Sequence, residues 1–240
     1  MWLVKNIKMS KIKKYFILSF FLLPLVSDCQ IQIGVKGGYN YFFILHNQLC
    51  DHYPKIYTPV YNSFVVSLFT PIPVIKHLNL NLEIKYIDRT YSFSWHVDDY
   101  HAVYLDYTYS TGYIDLILQP QFIFGRKLKI YISTGVYLGV LVKANIDGKY
   151  ERSGGYSQPI IFEGNAKSHF SSCDFGFIQN FGMRIPVIKG FSVIVDNSYS
   201  IGIINLAKKW DYSPQELTFF NFFNITLEAG VSYSFPTSKK

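Results

Sequence analysis

The chain has 240 residues, of which 18% are aromatic and 16% charged, with a formal net charge of +7. That charged share is well below the roughly 25% of an ordinary soluble domain, and no apolar run reaches the ~18 residues of a membrane-spanning helix, so an α-helical span is excluded. Much of the positive charge sits in the first 29 residues, which hold five Lys and one Asp; the remaining 18 basic and 15 acidic residues form no basic stripe, and no nucleic-acid partner is expected.

Lys5, Lys8, Lys11, Lys13 and Lys14 precede the apolar run Tyr15 to Val26, and Ser27-Asp28-Cys29 follows. A basic region, an apolar core of 12 residues and small residues at −3 and −1 describe a secretory signal peptide over 1–29, cut between Cys29 and Gln30. Lipidation of Cys29 is the competing reading, and Asp28 just before it fits that poorly. Only Cys50 and Cys173 survive the cut; sequence does not decide whether they pair.

From Gln30 onward the apolar residues recur with period two, the alternation of a strand with one greasy and one wet face. Strand one is expected over about Ile31 to Ile44, with Ile33, Val35, Tyr39 and Tyr41 opposite Lys36 and Asn40. Strand two, about Tyr61 to Thr70, carries Phe64, Val66 and Leu68. Strand three alternates Leu78, Leu80, Leu82, Ile84 and Tyr86 with Asn79, Asn81, Glu83 and Lys85. Strand four runs about Tyr109 to Phe124, where Pro120 suggests a local bulge. Strand five, Leu128 to Ala144, sets Ile130, Ile132, Val136, Leu138, Val140 and Val142 against Lys129, Tyr131, Ser133, Tyr137 and Lys143. Strand six spans about Cys173 to Ile185, strand seven Phe191 to Asn205, and strand eight Phe219 to Phe235.

The connections alternate in length. Those after strands two, four and six are short (Pro71 to Lys76, Gly125 to Lys127, Pro186 to Gly190). Those after strands one, three, five and seven are long (His46 to Val60, His96 to Thr108, Asn145 to Ser172, Leu206 to Thr218). An even strand count with turns sorted this way is the pattern of an outer-membrane barrel, short at the periplasmic end and long outside. The expectation is all-β: an eight-stranded antiparallel up-and-down transmembrane β-barrel over 30–235, with a short periplasmic tail at 236–240, in the cell outer membrane.

Inward parity then places Lys36, Glu83, Lys85, Asp115, Lys129, Lys143, Arg184, Asp196 and Glu228 in a lumen just wide enough for side chains to fill. Charges confined there must pair, since an isolated buried charge is very costly. A salt-bridged structural plug is the favoured reading over an ion path or a small-ligand site. His96-Val97-Asp98-Asp99-Tyr100-His101 and the nearby Ser94 offer metal-ligand and hydrolytic side-chain types. No scaffold or nucleophile motif frames them, so no catalytic centre, cofactor or metal is expected.

The final strand ends on Gly230, Tyr233 and Phe235, which resembles the carboxyl-terminal signal recognised by the barrel-assembly machinery. IGVKGGYNY (Ile33 to Tyr41), LNLEIKY (Leu80 to Tyr86) and YIDLILQPQF (Tyr113 to Phe122) resemble, in that order, the PorT-like outer-membrane β-barrel family of Bacteroidetes-type bacteria. In that family an acidic residue closely followed by Pro stands in strand four; here Asp115 is present and Pro lies at 120. The resemblance implies an outer-membrane barrel, with outer-membrane lipid and the assembly machinery as partners. Its founding member's place in secretion and gliding makes periplasmic or secretion-system partners candidates. Oligomeric state is left open.

Overall fold

A computed structural model describes residues 31–46, 63–97, 103–152, 159–206 and 220–236. The expected signal peptide over 1–29 and tail residues 237–240 lie outside this set. Among the described residues nine strands form: β1 (Gln32–His46), β2 (Ser63–Ile75), β3 (Leu78–Val97), β4 (Val103–Phe124), β5 (Lys129–Arg152), β6 (Ile160–Asn165), β7 (Cys173–Ile188), β8 (Phe191–Gly202) and β9 (Phe220–Ser234). Eight close a ring of antiparallel pairs running β1-β2-β3-β4-β5-β7-β8-β9 and back to β1. The ring shuts where the first and last strands pair along their whole length, from Gln32 against Ser234 to His46 against Phe220. A closed ring leaves none of these eight with a free edge, which is what lets strands cross lipid. Gly125 (φ 93°) and Gly190 (φ 86°) make two of the short turns, in a backbone region that side chains avoid.

The period-two pattern becomes two surfaces. Val35, Phe64, Val66, Leu68, Ile84, Leu116, Leu138, Phe177, Leu227 and Val231 point out and are exposed. Lys36, Ser67, Glu83, Lys85, Asp115, Asn180, Asp196 and Glu228 point in and are buried. This is an eight-stranded antiparallel barrel with its apolar side outward.

The structure departs from the expectation in three places. The long connections after strands three and five are largely strand. β3 and β4 stay paired up to Val97 against Val103, and β5 continues to Arg152. β6 then folds back along Asn145–Tyr150 as a ninth strand outside the ring, and a 3-10 turn (Lys167–His169) returns the chain to β7. Second, Pro120 makes no bulge. It pairs in unbroken register with Leu80 on β3, and β4 keeps one register with β5 on both sides of it. Third, the bulge sits at Gly112/Tyr113, opposite Val142 on β5. A bulge inserts one residue and exchanges the faces beyond it. Tyr137 below it and Ala144 above it are therefore both buried, despite odd and even numbers.

Candidate functional site

The lumen is built in levels. Lowest, near the short turns, Arg184 Nη1 donates to Gln32 Oε1 (2.5 Å), Gln32 Nε2 donates to Ser232 Oγ (2.6 Å), and Phe69, Tyr131 and Ile194 pack together.

Above this lies a five-membered ion cluster. Lys36 Nζ is 2.5 Å from Asp196 Oδ2, 3.1 Å from Glu83 Oε2 and 3.8 Å from Glu228 Oε2. Lys85 Nζ is 2.6 Å from Glu228 Oε1 and 3.4 Å from Glu83 Oε1. Ser67 Oγ (2.9 Å) and Thr226 Oγ1 (3.0 Å) also donate to Glu228. Strands β1, β2, β3, β8 and β9 each contribute, so the cluster ties walls far apart in sequence. With every partner inside a lumen of low dielectric, the ions offset one another's desolvation.

Next come Arg89, Tyr113, Asp115, Tyr137 and Asp174. Arg89 Nε donates to Asn224 Oδ1 (3.0 Å), while its guanidinium sits 5.0 Å from the Tyr113 ring centre and 4.7 Å from that of Phe222. Tyr137 donates its hydroxyl hydrogen to Asp174 Oδ2 (3.1 Å).

The external end is closed by hydrocarbon. Tyr91, Tyr109, Ala144, Ala166, Phe170, Leu206 and Phe222 form one buried cluster, flanked by Phe42, Ile44, Tyr107, Leu141 and Ile146. Ala166 and Phe170 bracket the 3-10 turn, which backbone bonds from Ala166 N to Ala144 O (2.9 Å) and Ser171 N to Leu206 O (2.8 Å) hold down. His169 Nδ1 lies 3.1 Å from the Tyr109 hydroxyl, and burial pulls its pKa below the usual 6.5.

Of the charges expected inside, Lys36, Glu83, Lys85, Asp196 and Glu228 meet in one cluster, Asp115 sits above it and Arg184 below it. Lys143 is placed differently. Beyond the bulge its side chain is 45% exposed on the outer face, 3.8 Å from Asp88. Lys129 is half-buried at the first residue of β5, away from the cluster. Sequence reading passed over Arg89 and Asp174. Arg89 has inward parity on β3, two repeats of the pattern above Lys85, but it falls beyond Tyr86, the last residue to which the expected alternation assigns a face. The apolar lid formed around the 3-10 turn was also missed, within the segment Asn145 to Ser172 expected to be a long connection. Gly230, Tyr233 and Phe235 lie at the end of the closing strand. Tyr233 packs on Phe191 (4.7 Å between ring centres) and Phe235 (5.0 Å), an aromatic patch at the lower rim. The segment from 98 to 102, the side chains of Ser94 and His96, and Cys50 lie outside what is described. Cys173 is exposed with a free thiol.

No curated protein matches the chain. Among solved structures, Ail, the attachment invasion locus protein of Yersinia pestis, in complex with the heparin analogue sucrose octasulfate, is 12% identical with a TM-score of 0.39, over 85% of this chain and 99% of that one. Neisserial surface protein A (NspA) is 10% identical with a TM-score of 0.41, over 85% and 97%. The outer membrane protein OprG from Pseudomonas aeruginosa is 9% identical with a TM-score of 0.43, over 89% and 99%. Residues 27–208, well over half of the chain, match the family described as outer membrane protein beta-barrel domain, and the chain belongs to that family.

Proposed function

We propose that this protein is a closed outer-membrane barrel with a structural or interaction role and neither channel nor enzymatic activity. One observation carries the reading: ions fill the lumen at the level of Lys36 and Lys85, and aromatic side chains cover its external end around Tyr91, Tyr109 and Phe222. A filled eight-stranded barrel has no room for a water column. The part left to meet other molecules is the sheet of β3, β4, β5 and β6 that continues past the ring. Planar bilayers test the reading: purified protein should insert without conductance steps, and stable channels from the wild type would overturn it.

A second reading, an accessory of a protein-secretion or gliding apparatus, is supported by the PorT-like segments, which fall on β1, β3 and β4 in the family's order. Co-purification from mild detergent separates the two. An accessory brings periplasmic or membrane partners with it, whereas a stand-alone barrel comes away clean. A third reading, a lipid-modifying enzyme using Ser94, His96 and Asp98, predicts an activity lost in His96→Ala; we favour it least, since no nucleophile motif frames those residues.

A further inference from the structure

Among the described residues the buried lumen charges divide into two sets. The lower set is balanced: Lys36, Lys85 and Arg184 against Glu83, Asp196 and Glu228. The upper set is Arg89 against Asp115 and Asp174, one negative charge in excess, and all three side chains are essentially removed from solvent. Lys85, the nearest cation below, is already bound to Glu228 and Glu83.

The register brings the two upper carboxylates together. Asp115 on β4 pairs with Gly139 on β5, and Gly139 pairs with Asp174 on β7. They therefore project inward from next-but-one strands at one level, with backbones roughly 10 Å apart at the usual strand spacing, and the residue between them has no side chain. A Cβ at Gly139 would lie 2.6 Å from Asp115 Oδ1, 3.2 Å from Asp174 Cβ and 3.6 Å from Tyr113 Cδ1, so any larger residue would fill the space these groups share. Oδ1 of Asp115, Oδ1 of Asp174 and the Tyr113 hydroxyl are buried there without a hydrogen-bond partner, as are both Nη atoms of Arg89. Polar atoms so placed are costly to bury unless something satisfies them.

We infer that Asp115 and Asp174 hold one small monovalent cation between them over Gly139, either a proton or an alkali-metal ion. One added positive charge balances the upper set and joins the two free carboxylate oxygens. The charged and titratable groups facing the site are Arg89, Lys85 and Glu83 from β3, Tyr113 from β4 and Tyr137 from β5. Arg89 acts on both carboxylates, but its single charge offsets only one of their two negative charges, which is why a second cation is called for. A multivalent metal is not the fit: no group of three or more His, Cys, Asp or Glu side chains able to hold one occurs among the described residues.

The test uses the full-length barrel refolded in lipid at neutral pH. If the cation is a proton, infrared spectra contain a carboxylic-acid C=O band that shifts in D₂O. The band is lost in both Asp115→Asn and Asp174→Asn, because Arg89 balances whichever carboxylate remains. If it is an alkali-metal ion, the band is absent and the unfolding temperature rises in sodium or potassium chloride over choline chloride at equal ionic strength. That dependence disappears in the same two variants. Wild type carrying 13C-labelled aspartate carboxyls reads the proton directly should either variant fail to fold. No protonated aspartate together with no dependence on sodium or potassium would overturn the inference, as would a band that persists in both variants.

Discussion

The barrel has two interiors, and they obey opposite rules. At the level of Lys36 and Lys85 the inward residues are polar and the outward ones apolar: on β3, Asn81, Glu83 and Lys85 face in while Leu82 and Ile84 face out. A few residues higher on the same strand the rule reverses. Tyr91 is buried inside, while Thr90 and Ser92 stand on the other face and bond Ser110 (3.4 Å) and Thr108 (2.6 Å) across the hairpin. β4 repeats this, with Asp115 inside and Ile114 and Leu116 outside below, then Tyr109 inside and Asp106 outside above. The backbone parity is continuous through β3, so the exchange comes from the medium around the wall. Where lipid surrounds it, polar groups gain by turning inward; where water surrounds it, burial of hydrocarbon drives the packing, as in a soluble sandwich. Arg89 stands at the changeover, its Nε bonded to Asn224 below and its plane against Phe222 above.

Breaking each interior by one side chain sharpens that contrast. Lys36→Met keeps the volume and removes the cation shared by Glu83, Asp196 and Glu228, leaving Glu83 and Glu228 to Lys85 and Asp196 without its ion-pair partner. The expected loss is about 3–5 kcal/mol, read as a drop in the urea midpoint for unfolding from lipid vesicles. Glu228→Ala should behave similarly, lowering the unfolding temperature without creating conductance. In the upper interior Phe222→Leu removes edge contacts to Phe42 (5.5 Å) and Tyr91 (5.6 Å) and the ring against Arg89, yet leaves an apolar side chain in place. A smaller loss of about 1–2 kcal/mol is expected. An equal or greater cost at Phe222 would mean that packing, and not ion pairing, dominates the lumen.

The wall was legible because side-chain parity is a local property. Ile33 to Tyr41 or Phe223 to Phe235 can be assigned faces from the letters alone. The upper storey was not, for a reason the two interiors supply. Above Arg89 the strands continue with the hydropathy of their faces exchanged, so Asp106 reads as loop, although it stands with Thr90 and Ser92 on the water-facing side of paired strands. Ion pairing was legible only as a list. That Lys85 serves Glu228 while its ladder neighbour Asp115 is left to Asp174 depends on side-chain reach across the lumen, which no strand pattern encodes.

Lys143 measures how far parity can be carried. Counting by twos from Lys129 puts it inside; the extra residue at Val142 turns it out. Lys143→Ala should therefore cost under about 0.5 kcal/mol, the scale of an exposed ion pair, an order of magnitude below Lys36→Met in the same urea assay. A cost near that of Lys36 would place the Lys143 ammonium within the barrel and remove the bulge from the account.

The smallest effect belongs to the lid. His169 lies against Tyr109, its rings crossing at 85° with centres 6.0 Å apart, on the turn that carries Ala166 and Phe170 into the mouth. Because burial lowers its pKa from 6.5, the undocked turn takes up a proton more readily than the docked one. Docking is then at full strength above about pH 6.5, weakens as pH falls toward the lowered value, and stays weak below it. Amide hydrogen exchange reads this locally: protection of the Ala166 and Ser171 amides should fall as pH drops through that window, after correction for intrinsic rates, while amides of β8 and β9 beside the ion cluster hold theirs. His169→Gln should flatten the pH dependence of the lid. Loss of protection in β8 and β9 over the same window would tie the two interiors into one cooperative unit, and the lid would no longer be a separate layer resting on the barrel.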